Sequence, residues 1–156
     1  MLTLVASAGG EYSAAFNSAV KSAYAAGVLT IVASGNEDAL AEESSPASSP
    51  EAITVGSIDA SWAESSFSNY GDAVDIMAPG EGILSAFIGS NTATETLDGT
   101  SMACPHVVGL ALALAVAEDI SSAEELSARI KELGNKGVVG GKEGSPDLVA
   151  FNGVSA

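Results

Sequence analysis

Gly99-Thr100-Ser101-Met102-Ala103-Cys104-Pro105-His106, continued by the apolar run 107–117, is the stretch on which the fold turns. It predicts a helix that opens at a glycine and carries a serine on its first turn. A hydroxyl there lies beside backbone N–H groups without helical partners, at the positive end of the helix dipole. Gly99 and Thr100 permit close approach, and Pro105 is expected in an opening turn, where its missing N–H costs little. Run 107–117 is apolar on every side, the pattern of a helix buried in a core. Such a helix is a well-supported platform for a nucleophile.

Working outward, residues 2–6 read as a short buried strand. In 13–26, Phe16, Val20 and Tyr24 recur at helical spacing, and Gly27 stands where the helix should stop. Residues 28–33 follow at once as a buried strand running into Gly35. Strand, helix and strand in succession predict a right-handed crossover and a parallel sheet. Residues 37–50 read as loop, 53–58, 74–77 and 83–88 as further strands, and 90–98 as a polar loop. Beyond the serine helix, Ser122-Ala123-Glu124-Glu125 has the spacing of a capping box. Leu126, Ile130 and Leu133 mark one face of the helix it opens, Gly134 ends it, and 137–152 read as a terminal hairpin. The fold class is α/β, with a mainly parallel sheet flanked by helices.

The chain has 156 residues, 47% of them hydrophobic, and a formal charge of −15 from 20 acidic and 5 basic side chains. That balance disfavours nucleic acid and anionic membrane surfaces as partners. Cys104 is the only cysteine, so this sequence forms no internal disulfide. Beside Ser101 it reads either as a reactive thiol or as a small buried hydrophobe, and its place on the helix favours the second. Met1-Leu2-Thr3-Leu4-Val5 lacks the basic start of a signal peptide. Run 107–117 is well short of the roughly 20 residues of a membrane span.

The octapeptide around Ser101 resembles the nucleophile motif of the subtilisin-like serine proteases (peptidase S8 family). Val32-Ala33-Ser34-Gly35-Asn36 is similar to that family's oxyanion segment. Ser66-Phe67-Ser68-Asn69-Tyr70-Gly71 and Ala78-Pro79-Gly80 are similar to its next landmarks. Ser7-Ala8-Gly9-Gly10 resembles its substrate-binding strand, with Ala8 where the family usually has a large apolar residue. Order and spacing suit the proteinase K branch, including the fungal alkaline proteases.

The resemblance implies a subtilisin-like fold and peptide-bond hydrolysis through an acyl-enzyme on Ser101, with Asn36 in the oxyanion hole. It implies that residues 1–156 form the C-terminal part of a peptidase domain, because the family's catalytic Asp and His precede these landmarks. The only histidine, His106, falls on the nucleophile's own helix, where it points away from Ser101. The expected partners are therefore a peptide or protein substrate and the missing N-terminal half of the domain; alone, the chain is expected to be inactive. The alternative is a non-catalytic truncated fragment or interaction module of the same family. The resemblance also implies a secreted or vacuolar location and chemistry without a cofactor. An α/β-hydrolase elbow at Ser101 fails, since no histidine follows His106.

Read from residues alone, Asn36, after a glycine and past a buried strand, is either a site residue at a strand's carboxyl end or a turn residue. Ser7, Ala8 and Gly9 and the set Ala33, Ser34 and Gly35 are tight packing points; the resemblance makes them the two walls flanking a substrate side chain. Small residues there let an extended peptide lie against strand edges. Asp75, an acid in an apolar strand, requires a salt bridge, backbone hydrogen bonds or a cation. The resemblance implies structural calcium there, with main-chain carbonyls of Pro50 and Ala52; oxygen donors of this kind suit calcium.

Overall fold

The computed structural model describes residues 3–6, 10–141 and 144–154. Strand β1 (Thr3–Ala6) leads to helix α1 (Ala14–Ala25), which Ser13 caps by accepting the Phe16 N–H at 3.3 Å. Strand β2 (Leu29–Ala33) pairs parallel with β1, from Thr3 opposite Leu29 to Ala6 opposite Val32. A short 3-10 turn (Ala41–Glu43) interrupts the long loop before β3 (Ala52–Ile58). β3 lies parallel to β2 on one side and to β4 (Ile76–Pro79) on the other. β5 (Ile83–Ala86) and β6 (Thr94–Leu97) form a separate antiparallel hairpin. Helices α2 (Thr100–Ala117) and α3 (Ala123–Leu133) follow, then the short strands β7 (Asn135–Lys136) and β8 (Leu148–Val149). The main sheet runs β1-β2-β3-β4-β8-β7, with only β7 antiparallel.

Alternation along the strands divides the core. Leu29, Ile31, Ala33, Ile53 and Val55 meet Ala103, Cys104, Val107 and Ala111 of α2 and Leu126 and Ile130 of α3. Val32 and Ala52 face the other way, toward Val20 of α1. Because β2 and β3 are buried on both faces, they read as continuous apolar runs, as strands of parallel sheets do.

Three local expectations change. Pro105 lies inside α2, past its opening turn, so the Ser101 carbonyl has no N–H from that position to accept. Starting at Thr100, α2 has 18 residues and is long and apolar enough to cross a membrane by length and composition. Its inner face is nevertheless core, whereas Leu112 and Val116 on the outer face are exposed. The polar stretch expected as loop at 90–98 contains β6, whose Thr and Glu side chains stand in solvent.

Candidate active site

The carboxyl end of β2 and the first turn of α2 meet at one corner. Two glycines make this possible. Gly35 has φ +113°, and a Cβ there would lie 2.6 Å from Glu37 Oε2 and strike the Asn69 amide. Gly99, the N-cap of α2, has φ +151°, a conformation rarely open to other residues.

Across this corner Asn36 is held by its oxygen. Its Oδ1 accepts the Thr100 backbone N–H at 2.9 Å and the Thr100 hydroxyl at 2.9 Å. Thr100 is fully buried, and its Oγ1 also accepts the Gly35 N–H at 3.3 Å. The Thr100 backbone N–H can only donate and so requires the oxygen side of the amide, which fixes the flip of Asn36 and leaves Nδ2 as the outward donor. Nδ2 makes no hydrogen bond to a described residue and lies within 3.6 Å of where a Cβ on Gly99 would stand.

Asn69 supports this arrangement from beneath. It is 2% exposed, and its Oδ1 accepts the N–H groups of Glu37 (2.9 Å) and Ala39 (3.2 Å). Its Nδ2 donates to Ser34 O (3.1 Å) and Glu37 Oε2 (2.9 Å), and Glu37 Oε2 also accepts the Asn36 N–H at 2.9 Å. The loop after β2 is thus braced on every side. Sequence reading named neither Thr100 nor Asn69 for this work. Their signal was present, since Thr100 adjoins the serine and Asn69 stands in a motif already singled out.

Ser101 is half-buried on the first turn of α2, and its side chain makes no hydrogen bond to a described residue. It lines a cleft of about 300 Å³ with Ile83, Leu84, Ser85, Met102, Pro105 and His106. His106 is exposed, and its Nδ1 donates to the Met102 carbonyl at 2.9 Å, back along its own helix. No hydrogen bond joins it to Ser101. Cys104, three residues on, is fully buried with Sγ 3.4 Å from Ile31 O, and burial pushes its thiol up to about 12. It is a packing residue, not a nucleophile.

Of the expected substrate walls, Ser7, Ala8 and Gly9 lie outside the described residues. Ala33, Ser34 and Gly35 are placed beside Asn36, and all three are buried. Ser34 directs its hydroxyl inward to Asn69 O at 3.1 Å, while its N–H donates to Val55 O at 2.9 Å. This segment therefore presents shape more than free polar groups. Next to it, a cleft of about 270 Å³ opens between Gly10–Glu11 and Glu37–Leu40.

Asp75 is half-buried just before β4. Its Oδ2 accepts the Thr54 N–H at 2.8 Å, and its Oδ1 pairs with Lys131 Nζ of α3 at 2.6 Å. Pro50 and Asp75 do line one cleft, together with Asp72, but Ala52 does not reach it. With both carboxylate oxygens engaged and an ammonium in contact, these residues do not fit a calcium ion as placed, since a dication beside Nζ would be repelled. Among the described residues no group of three His, Cys, Asp or Glu could hold a metal.

A serine at a helix N-terminus, beside an amide whose N–H₂ is turned outward, is an arrangement whose chemistry suits acyl transfer. Residues 3–143 match the subtilase family, peptidase S8, and the chain belongs to that family. It is 57% identical over 147 residues to alkaline protease 1 of Emericella nidulans, covering 94% of this chain and 36% of that protein. It is 52% identical over 151 residues to an alkaline proteinase of Hapsidospora chrysogena, covering 96% and 37%. A crystal structure of a cold-adapted subtilisin-like serine proteinase superimposes with a TM-score of 0.89 at 37% identity, over 97% of this chain and 55% of that one. The chain thus spans about a third of the length of these curated relatives.

Proposed function

We propose that this chain carries the nucleophile and oxyanion half of a serine endopeptidase site. Ser101 Oγ attacks a peptide carbonyl, and the oxyanion of the tetrahedral intermediate accepts bonds from Asn36 Nδ2–H and the Ser101 N–H. Collapse breaks the C–N bond and leaves an acyl-enzyme on Ser101, which water then hydrolyses. The proton removed from Oγ passes through an imidazole to the departing amine. The observation that carries this reading is the anchoring of Asn36 Oδ1 by Thr100, because a donor preorganised toward developing charge needs no reorganisation during reaction. The chemistry needs no cofactor.

The imidazole and its carboxylate come from the remainder of the domain, upstream in the relatives' order, and the isolated chain is inactive. Two features support a docking place for that part. The cleft beside Ser101 is open and largely apolar, and α2 turns exposed Leu112 and Val116 outward. The substrate is a peptide or protein chain, and the family resemblance assigns its binding to Ser7, Ala8 and Gly9 together with Ala33, Ser34 and Gly35. We also place the complete enzyme among secreted proteases, in keeping with its alkaline-protease relatives.

A fluorophosphonate probe with intact-mass readout tests this. The chain alone is expected to stay unlabelled; joined to the upstream part of a family member, it gains one adduct, lost in Ser101→Ala. An absence of label in a folded, associated pair would make the chain a non-catalytic fragment of the family.

A further inference from the structure

We infer that Lys131 is the built-in cation of Asp75: its tethered ammonium neutralises the carboxylate for which the family resemblance calls for calcium, without lining the cleft that Asp75 shares with Pro50. Asp75 and Thr54 are joined reciprocally. The Asp75 N–H donates to Thr54 O at 2.8 Å, and the Thr54 N–H donates to Asp75 Oδ2 at 2.8 Å. This extends the β3–β4 pairing by one step below its first register pair, Val55 opposite Ile76. Thr54 Oγ1 in turn donates to Ala47 O at 2.7 Å, tying in the loop that contains Pro50. The remaining carboxylate oxygen, Oδ1, receives Lys131 Nζ.

Lys131 stands in the last turn of α3, where the carbonyl end of the helix favours a positive charge. Being part of the fold, its ammonium is held at the carboxylate without drawing a cation from solution. A calcium ion would have to displace it or sit against it. The neighbouring Asp72 is exposed and adds no buried ligand. Lys131 thus clips α3 to the sheet and cancels the charge that would draw a metal to Asp75, a consequence independent of whether Ser101 is catalytic.

Melting curves of the full chain in chelator and in millimolar calcium test the inference. Wild type is expected to melt at one temperature in both, and Lys131→Arg likewise. Lys131→Met keeps the apolar stem but is expected to melt several degrees lower in chelator and to recover most of the loss in calcium. A wild-type midpoint raised by calcium, with the rise abolished in Asp75→Asn, would overturn it. So would a Lys131→Met chain that melts like wild type in both conditions. Should that variant fail to fold, calorimetric titration of wild type decides: no calcium heat supports the inference, and heat that Asp75→Asn removes refutes it.

Discussion

Two corners of the same sheet are built from similar parts and end in opposite states. At the carboxyl end of β2, Asn36 has its acceptor bonded twice by Thr100 while its two N–H groups meet no described partner. At the entry to β4, Asp75 has one oxygen on a strand N–H and the other on a helix ammonium. The first corner is rigid yet open in valence; the second is rigid and closed. A buried or half-buried polar group normally finds a partner. Asn36 is exposed, so its N–H₂ can rest on solvent, and what prepares it for an incoming group is that Thr100 fixes its direction. The contrast separates a site from a staple where polarity and position alone do not.

The largest effect should come from removing the open donor. Asn36→Ala is expected to lower kcat by about 100- to 1000-fold in the chain joined to its upstream part, with KM little changed; this magnitude is the one known for subtilisin, a member of the same family, not one obtained from this geometry. The melting temperature should fall only modestly, because the Thr100 N–H loses its acceptor while the Thr100 hydroxyl can still donate to Gly35 O at 3.3 Å. An equal fall in stability would mean that Asn36 is a staple like Asp75. Next comes the group that does the holding. Thr100→Val keeps the backbone N–H but removes the hydroxyl, so Asn36 loses one of its two anchors and the buried Gly35 N–H loses its acceptor. A smaller loss in kcat, about tenfold, is expected together with about 1–3 kcal/mol of stability. Thr100→Ser should restore both, which a purely packing role for the methyl group would not allow.

How much of this contrast was legible in the sequence depended on range. The serine helix announced itself locally, through Gly99 and the apolar run behind Ser101, and Asn36 through the buried strand and glycine before it. The parallel core strands were visible for the same reason: both faces are buried, so the runs are unbroken. Strand β6 was hidden because Thr94, Glu95 and Thr96 face solvent and give no alternation. The roles of Thr100 and Asn69 were hidden because each is a hydrogen bond closing 30 or more residues of chain. Asp75 shows the boundary most clearly. An acid in an apolar strand required a partner, but nothing local distinguished Lys131, 56 residues away, from a metal ion.

The smallest effect tests whether an exposed staple behaves as the half-buried one does. Glu118, which ends α2, receives Arg129 of α3 through two bonds, Nε–Oε2 at 2.8 Å and Nη2–Oε1 at 3.0 Å. The hydrogen bond from Arg129 holds its carboxyl below the usual range. A carboxyl depressed in the folded state stabilises above its unfolded-state pKa and loses that contribution as pH falls through the folded one. Glu118→Gln should therefore lower the melting midpoint by about one degree at neutral pH, and the gap should close under acid. Added salt should narrow it as well, since water screens a pair on the surface. The Lys131–Asp75 pair, with its carboxylate half-buried, should lose less of its effect to the same salt. Equal salt sensitivity in the two pairs would erase the distinction between a clip on the surface and one that neutralises a half-buried carboxylate.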